Sequence, residues 1–253
     1  MSTASNSLVD LQAEKVFLDK VYATHTVDHS SQTRVMRELV FRTVAPFLKG
    51  GQGLELGCSD GYMTSMLASK LEHLDVVDGS SSFLEEAKKR DIPNVTYHLA
   101  LFEEYESEKR YDYVFASFIL EHVLDPGLVL AMAKRVLKPG GLIFLIVPNA
   151  RALSRQLAMH MNLIQDLKAL TQNDLVHGHR RVYDRVSFNR DLRQASLQTV
   201  MECGLMLKIL ADFQMDKLID DGVLKDQQID GLYKLGLEYP DLCGALLSVC
   251  RAD

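Results

Sequence analysis

The chain has 253 residues with 47% hydrophobic and 25% charged residues, enough to bury a sizeable core in one large α/β domain. A formal net charge of -6 at pH 7, no tryptophan and no long basic run argue against a nucleic-acid groove or an anionic membrane surface, so the expected partner is a small molecule. The N-terminus Met1-Ser-Thr-Ala-Ser-Asn-Ser lacks a basic-then-apolar leader and no apolar run reaches membrane-spanning length, which predicts a cytoplasmic protein, as monomer or homodimer.

In chain order, Leu8 to Tyr22 reads as a loose helix. Ser31 to Leu48 is a stronger one, with Val35, Met36, Leu39, Val40 and Val44 on one face. Residues 1–50 thus form a helical leader. Strands are predicted near 52–57, 73–78, 94–99, 111–117 and 141–148, with helices near 61–71, 81–90 and 126–137, the last ended by Pro139-Gly140-Gly141. Strands alternating with helices mean a parallel sheet across 51–148. After Pro148 the pattern breaks. Residues 149–184 read as helical pieces and loop, and 185–253 as a helix near 190–203 stopped by Gly204, a strand near 205–213, an irregular stretch, and a last strand Leu242 to Arg251 set antiparallel beside the fifth. Cys58, Cys203, Cys243 and Cys250 form no C-x-x-C pair; they read as reduced, buried thiols, with Cys243 and Cys250 in that last strand.

The run Gly53-Leu-Glu-Leu-Gly-Cys-Ser-Asp-Gly61 joins an acidic-tipped strand to a tight glycine turn at the start of a helix. Gly57 and Gly61 let the backbone turn sharply and approach a ligand, toward which the next helix points its free N–H groups. Asp78 follows 21 residues beyond Gly57, at the end of the second strand, where a ribose diol could be held. A nicotinamide fingerprint requires G-x-G-x-x-G, whereas this chain has Ser59 and Tyr62 at the second and third glycine positions, which argues against a pyrophosphate. Ligands of open α/β sheets sit beyond the strand C-termini, and Glu55, Gly57, Asp78, Leu101, Phe102, Ser117 and Phe118 all fall at or just past such ends.

These residues resemble the first motif of class I S-adenosylmethionine (SAM) dependent methyltransferases, with Glu55 as its acidic residue, Gly57 and Gly61 as its outer glycines and Ser59 replacing the middle one. Tyr111 to Pro126 looks like the family's fourth strand and following loop, and Leu137 to Pro148 like its fifth-strand block. The Leu-Glu-His-Val-x-Asp-Pro, Gly-His-Arg-Arg-Val-Tyr and Tyr-Pro-Asp segments are similar to those of bacterial small-molecule methyltransferases of the ubiquinone-biosynthesis kind. The resemblance implies a Rossmann-like, seven-stranded, mostly parallel sheet flanked by helices, with an antiparallel last strand, N-terminal helices and a lid insertion after strand five. It further implies SAM as cofactor. The loop Gly57, Cys58, Ser59 and Gly61 would hold its methionine moiety, Asp78 with Gly79 its ribose, Leu101 and Phe102 its adenine, and Ser117 and Phe118 would border it.

On the acceptor side the candidates are His122, in Glu121-His122, and His179 and Tyr183 in Gly178-His-Arg-Arg-Val-Tyr183. A histidine there could take a proton from a hydroxyl or ammonium acceptor, or His122 and Glu121 could brace the loop. Arg180 or Arg181 could clamp a carboxylate or phosphate on the acceptor, or pair with Asp184 or Asp174 at the surface. Residues 149–184 would form the lid over the acceptor. No motif for a metalloprotease, a nucleophile elbow or a phosphate-binding P-loop occurs, and the histidines do not cluster at metal-ligand spacing, so no metal is expected. Two readings follow: a methyltransferase acting on an oxygen or a nitrogen (an amine or amino sugar) of a small metabolite, or a protein of the same fold that binds SAM without transferring its methyl group.

Overall fold

A computed structural model describes residues 11–24 and 30–252. Helix α1 (Leu11–Thr24) and helix α2 (Ser31–Val44) form the leader; the predicted helix start at Leu8 and the polar run before it lie outside the described residues. Ser30 caps α2 by accepting a hydrogen bond from the Thr33 amide, and Met36, Leu39, Val40 and Val44 are its buried stripe. The helix stops at Val44, earlier than its apolar pattern suggested, because Pro46 cannot donate the next helical hydrogen bond and the chain tightens into a 3-10 turn, Ala45–Phe47.

The strands are β1 (Gln52–Leu56), β2 (His73–Asp78), β3 (Val95–Leu99), β4 (Tyr111–Ser117), β5 (Leu137–Pro148), β6 (Leu197–Leu205) and β7 (Ala245–Ala252). The intervening helices are α3 (Tyr62–Ala68), α4 (Ser81–Lys88), α5 (Pro126–Val136), α6 (Leu153–His160), α7 (Gln172–Val176), α8 (Arg185–Gln194), α9 (Asp212–Asp220) and α10 (Asp226–Glu238). One seven-stranded sheet results, in the order β3-β2-β1-β4-β5-β7-β6. Only β7 runs antiparallel to its neighbours β5 and β6. The strand order reverses between β1 and β4, and the crevice of such a sheet opens beyond the C-terminal ends at that point.

Alternation along the strands feeds two cores. Phe144 and Ile146 of β5 join Phe115, Leu74 and Val76 beneath α2, α3 and α4, where the Phe115 and Phe144 rings stack at 5.0 Å. Ile143, Leu145 and Val147 join Leu54, Leu56 and Val114 beneath α5 and α8. Such near-continuous apolar strands are what burial on both faces requires.

Three predicted elements are corrected. The helix expected near 190–203 is α8, which starts at Arg185 because Asp184 and Ser187 close a reciprocal capping box, and the strand expected near 205–213 is β6, at 197–205. Leu197, Val200, Met201 and Leu205 also fit a helical spacing, and short apolar runs do not distinguish the two periods. Gly204 is therefore no helix stop; it lies in β6, where a Cβ would come within 2.5 Å of the Cys243 sulfur. Pro139-Gly140-Gly141 do not end α5 but form an irregular start to β5, three residues longer than the matching stretch of β4 between Tyr111 and Tyr113. Cys243 lies just before β7, not in it, while all four cysteines are free and buried.

Candidate functional site

The glycine loop turns where β1 ends. Gly57 has φ 76° and Gly61 φ 74°, left-handed conformations that cost a side-chain-bearing residue. The Gly57 amide donates to the Val77 carbonyl at 2.8 Å, tying the loop to β2. Ser59, at the position of the missing middle glycine, takes φ 47°. It keeps the shape of the loop with a strained serine, whose hydroxyl accepts from Arg37 at 3.2 Å.

The next residue, Asp60, is the anchor that sequence reasoning missed. Its carboxylate pairs with Arg37 at 2.9 Å and Arg90 at 2.7 Å, and accepts from the Tyr62 amide at 3.1 Å. Burial pushes this carboxyl up, but Arg37, the Tyr62 amide and Arg90 outweigh it and hold the group below its ordinary value. No local signal could have shown this triangle, since Arg37 comes from α2 and Arg90 follows α4. The first amide of α3 is consequently partnered, and α3 is shorter than predicted.

Asp78 ends β2, as expected, and is buried. One carboxylate oxygen accepts from the Ser80 amide at 2.9 Å, the other from the Cys58 amide at 3.1 Å. Burial raises its pKa, and those two amides oppose the rise. Between Asp78 and Ser80, a Cβ on Gly79 would lie 2.6 Å from Leu18 of α1 and 2.8 Å from Leu101. A Cβ on Gly57 would lie 2.3 Å from Ile119 and 3.8 Å from Phe102. The fold therefore brings Gly57, Gly79, Leu101 and Phe102 to one wall, with Leu18 and Ile119 standing over the two glycines.

Two buried polar atoms at this wall are unpartnered: Oε2 of Glu55 and the hydroxyl of Ser117. Burial pushes the Glu55 carboxyl up to about 8, against the opposing pull of the Thr64 hydroxyl and Arg37. Phe118, next in the chain, has φ 59°, an outlier for a bulky residue of the kind that gathers at functional sites.

The loop after β4 carries Glu121 and His122, and the segment 177–184 returns against it. The rings of His122 and His179 meet edge to face at 4.7 Å, and Nε2 of His122 is 4.0 Å from Oε1 of Glu121. Nδ1 of His179 sits 3.0 Å from Asp174, which also accepts from Arg155 at 3.0 Å and from Thr171. Burial raises the Asp174 carboxyl, but His179, Thr171 and Arg155 hold it far below the usual carboxylate range. Burial also pushes Glu121 up to about 8, against the pull of its own backbone amide and of Arg181. Sequence spacing gives no sign of this neighbourhood: His122 and His179, 57 positions apart, are brought together by the return of the chain.

The other acceptor-side candidates have different surroundings. Arg180 donates from Nε to the His122 carbonyl at 2.7 Å, pairs with Glu14 at 2.8 Å and stacks over Phe17 at 4.2 Å. Arg181 donates to the carbonyls of Leu120 at 2.7 Å, Val123 and Leu124. Arg180 thus ties the loop to helix α1 and Arg181 closes the loop itself; neither pairs with Asp174 or Asp184, whose partners are Arg155, His179 and Lys168. Tyr183 is 2% exposed and packs edge to face on Phe188, with its backbone bridged to Asn149. It lies in the core rather than on the cleft. Asn149 was not singled out from sequence, yet its side chain donates to the carbonyls of Asp241 and Cys243 and joins the end of β5 to the Tyr-Pro-Asp tail.

Among the described residues no helix is long and apolar enough to cross a membrane. A family model for a methyltransferase domain matches residues 27–202. The ubiquinone biosynthesis O-methyltransferase of Thiobacillus denitrificans is 30% identical over 168 residues, covering 64% of this chain and 71% of the relative. The enzyme of that name from Pasteurella multocida is 30% identical over 116 residues, 40% of this chain, and is matched over only about half of its own length, 48%. Among solved structures, the 1,6-didemethyltoxoflavin-N1-methyltransferase of Burkholderia thailandensis superposes with a TM-score of 0.63 at 15% identity, covering 100% of this chain and 94% of that one. The N-methyltransferase NodS of Bradyrhizobium japonicum, in complex with S-adenosyl-L-homocysteine, gives 0.60 at 13% identity, covering 94% and 97%.

Proposed function

Since this chain belongs to the methyltransferase-domain family, we propose that it transfers the methyl group of SAM to an oxygen atom of a small-molecule metabolite. The observation that carries this reading is the loop after β4, at the switch in strand order between β1 and β4, which sets Ile119 over Gly57 and carries Glu121 and His122 beside His179.

The residues present fit the cofactor. Gly57 and Gly79 put no side chain between their backbone and a ligand, the space over them being held only by the side chains of Ile119, Leu18 and Leu101, and Glu55 and Ser117 offer unpartnered buried oxygens at the same strand ends. Gly57, Cys58, Ser59 and Gly61 would hold the methionine moiety. Asp78 still has acceptor capacity for a ribose diol after serving two amides, while Gly79, Leu101 and Phe102 would face the adenine and Phe118 would border the site. Bound SAM supplies an activated sulfonium methyl group, so the protein's task is alignment and removal of one proton. Leu18 and Ile119 have to turn aside for loading, which makes α1 a cover for this side of the cleft and residues 149–184 the cover for the other.

His122 or His179 would take the acceptor's proton, its neutral form being available near pH 7. Asp174 would hold His179 in one tautomer and orientation, as the carboxylate does in hydrolytic triads. Arg180 and Arg181 would keep the loop after β4 in register. Oxygen is favoured over nitrogen as the acceptor because the sequence relatives at 30% identity carry the O-methyltransferase name. Labelled SAM incubated with the protein and a fractionated cell extract, with mass identification of the labelled product, tests the reading. An O-methylated metabolite is expected; tight SAM binding with no labelled product from any fraction would leave a SAM-binding protein without transferase activity.

A further inference from the structure

We propose that Glu121, His122 and His179 form a binding site for a divalent cation of zinc's class, beside the acceptor position. One ligand-capable atom from each of these residues lies within 4.8 Å of the others, the only such group found among the described residues. The three side chains are of the right kinds: two imidazoles and one carboxylate make a donor set that suits zinc-like ions and leaves a further coordination position open. Magnesium and calcium prefer all-oxygen shells, so this set selects against them.

Three independent features point to a ligand. Glu121 is 1% exposed, yet neither of its carboxylate oxygens has a hydrogen-bond partner. A buried carboxyl group without a partner is costly and is retained where something else satisfies it. Arg181, the cation that pulls on Glu121, is directed at three backbone carbonyls and supplies no hydrogen bond to it. His179 is aimed from behind: Asp174 holds Nδ1 at 3.0 Å, leaving Nε2 as the ligand atom, and Asp174 is itself fixed by Arg155 and Thr171. A carboxylate behind a histidine fixes its tautomer and raises its basicity at metal centres. Finally, the site has an entry side, since His122 and His179 are 28% and 15% exposed at their side chains while Glu121 forms the floor.

Ligand bonds of about 2.0–2.2 Å require the three atoms to draw in to roughly 3.3 Å of one another. This is a movement of side chains on one loop and one returning segment, already joined through Arg180 and the His122 carbonyl. The inference rests on the proposed position of the acceptor and sharpens its class to a hydroxyl compound. A hydroxyl oxygen entering the open position would lose its proton to water more readily under the cation's charge, leaving the oxygen anionic for attack. The two histidines would then be ligands, and neither would need to serve as the base.

The test uses the full chain stripped with a chelator and dialysed. Zinc chloride is titrated by competition calorimetry, and cobalt chloride by its visible ligand-field absorption. One equivalent of zinc per chain is expected, with a cobalt spectrum of low coordination number and no displacement by excess magnesium. Glu121→Gln, His122→Ala and His179→Ala should each weaken zinc binding by at least 10-fold, and Asp174→Asn by about 10- to 100-fold, the range for outer partners of metal ligands. Circular dichroism and SAM titration identify any variant that fails to fold, and Glu121→Gln serves as the conservative change. Absence of stoichiometric zinc binding, or binding that all three ligand variants leave intact, overturns the proposal. If zinc fails to bind while chelator-treated protein binds SAM and transfers methyl groups, the cation site is wrong and the histidine base stands. If the protein binds zinc but methylates nothing, the site holds and the transferase reading fails.

Discussion

The two sides of the cleft are built by different means. The proposed cofactor wall is made of backbone: positive φ angles at Gly57 and Gly61, amides of Cys58 and Ser80 turned onto Asp78, and glycines at which a Cβ would meet Ile119 or Leu18. Its parts are close in sequence or in register on adjacent parallel strands. The proposed acceptor side is made of side chains brought from far apart, with His122 meeting His179 and Arg180 reaching back to Glu14. A surface built from backbone tolerates little substitution at its glycines. One built from side chains can be re-equipped residue by residue, which suits a fold that serves many acceptors.

The sharpest way to break the comparison is at Gly57. Valine there would need a left-handed φ and would place its Cβ 2.3 Å from Ile119. SAM affinity should fall by more than about 100-fold with a loss of several kcal/mol in stability, since both backbone strain and overpacking act at once. Calorimetry and thermal melting check it; affinity within threefold of wild type would mean that the cofactor does not approach this turn.

On the acceptor side the expected signature is the reverse. Replacing His122 or His179 by alanine should lower turnover by about 100-fold, whether the imidazole serves as base or ligand, while SAM affinity stays within a few-fold. Asp78→Ala returns the effect to the cofactor wall, weakening SAM by roughly 1.5–3 kcal/mol for a lost charge-assisted hydrogen bond. Part of that loss will be structural, because Asp78 also serves the Ser80 and Cys58 amides. Comparing Asp78→Asn with Asp78→Ala separates the two contributions: a melting temperature that drops without any loss of SAM affinity would remove Asp78 from the ribose site.

Legibility in the sequence followed the same division. The glycine loop, the strand-end position of Asp78 and the succession of strands and helices up to Pro148 were readable because they depend on local backbone chemistry and on short apolar runs set between helical segments. Ser59 could be read as a departure from the motif, but its φ of 47° could not. The grouping of Glu121, His122 and His179 was invisible to spacing, as was the diversion of Arg180 and Arg181 to backbone carbonyls. Nothing local tells an arginine aimed at a substrate from one that closes a loop. Tyr183 failed for the same reason, since a phenol beside charged residues reads as functional until Phe188 is seen against its ring. The shift of α8 and β6 came from a genuine ambiguity of period, resolved by the Asp184 and Ser187 cap.

Arg181→Met sharpens the distinction between bracing and binding. A clamp on the acceptor would raise KM and leave stability unchanged. The hydrogen bonds to Leu120, Val123 and Leu124 predict instead a stability loss of about 1–3 kcal/mol and a lower kcat, with KM changed little. Urea unfolding beside steady-state kinetics decides between them, and a pure KM effect would restore the clamp.

The smallest effect concerns pH and belongs to the cofactor wall. Burial of Glu55 lifts its carboxyl to about 8 in the folded chain, while the unfolded value is about 4.3. A raised folded pKa means that the unfolded state loses its proton first as pH increases. The contribution of the protonated group to stability is therefore full below about pH 4 and declines from there until the folded group also ionises near pH 8. Glu55→Gln keeps the shape and stays neutral. It should match wild type near pH 4 and exceed it by about 1–3 kcal/mol at pH 8, allowing for the reduction of such shifts by local relaxation. SAM should narrow this difference if its groups reach the unpartnered Oε2 and favour the ionised form. Urea melts at pH 4.5, 6 and 8, with and without SAM, measure both effects. A difference between variant and wild type that stays constant across that range would show that Glu55 titrates alike in the folded and unfolded chains, and would remove it from the buried floor of the cofactor site.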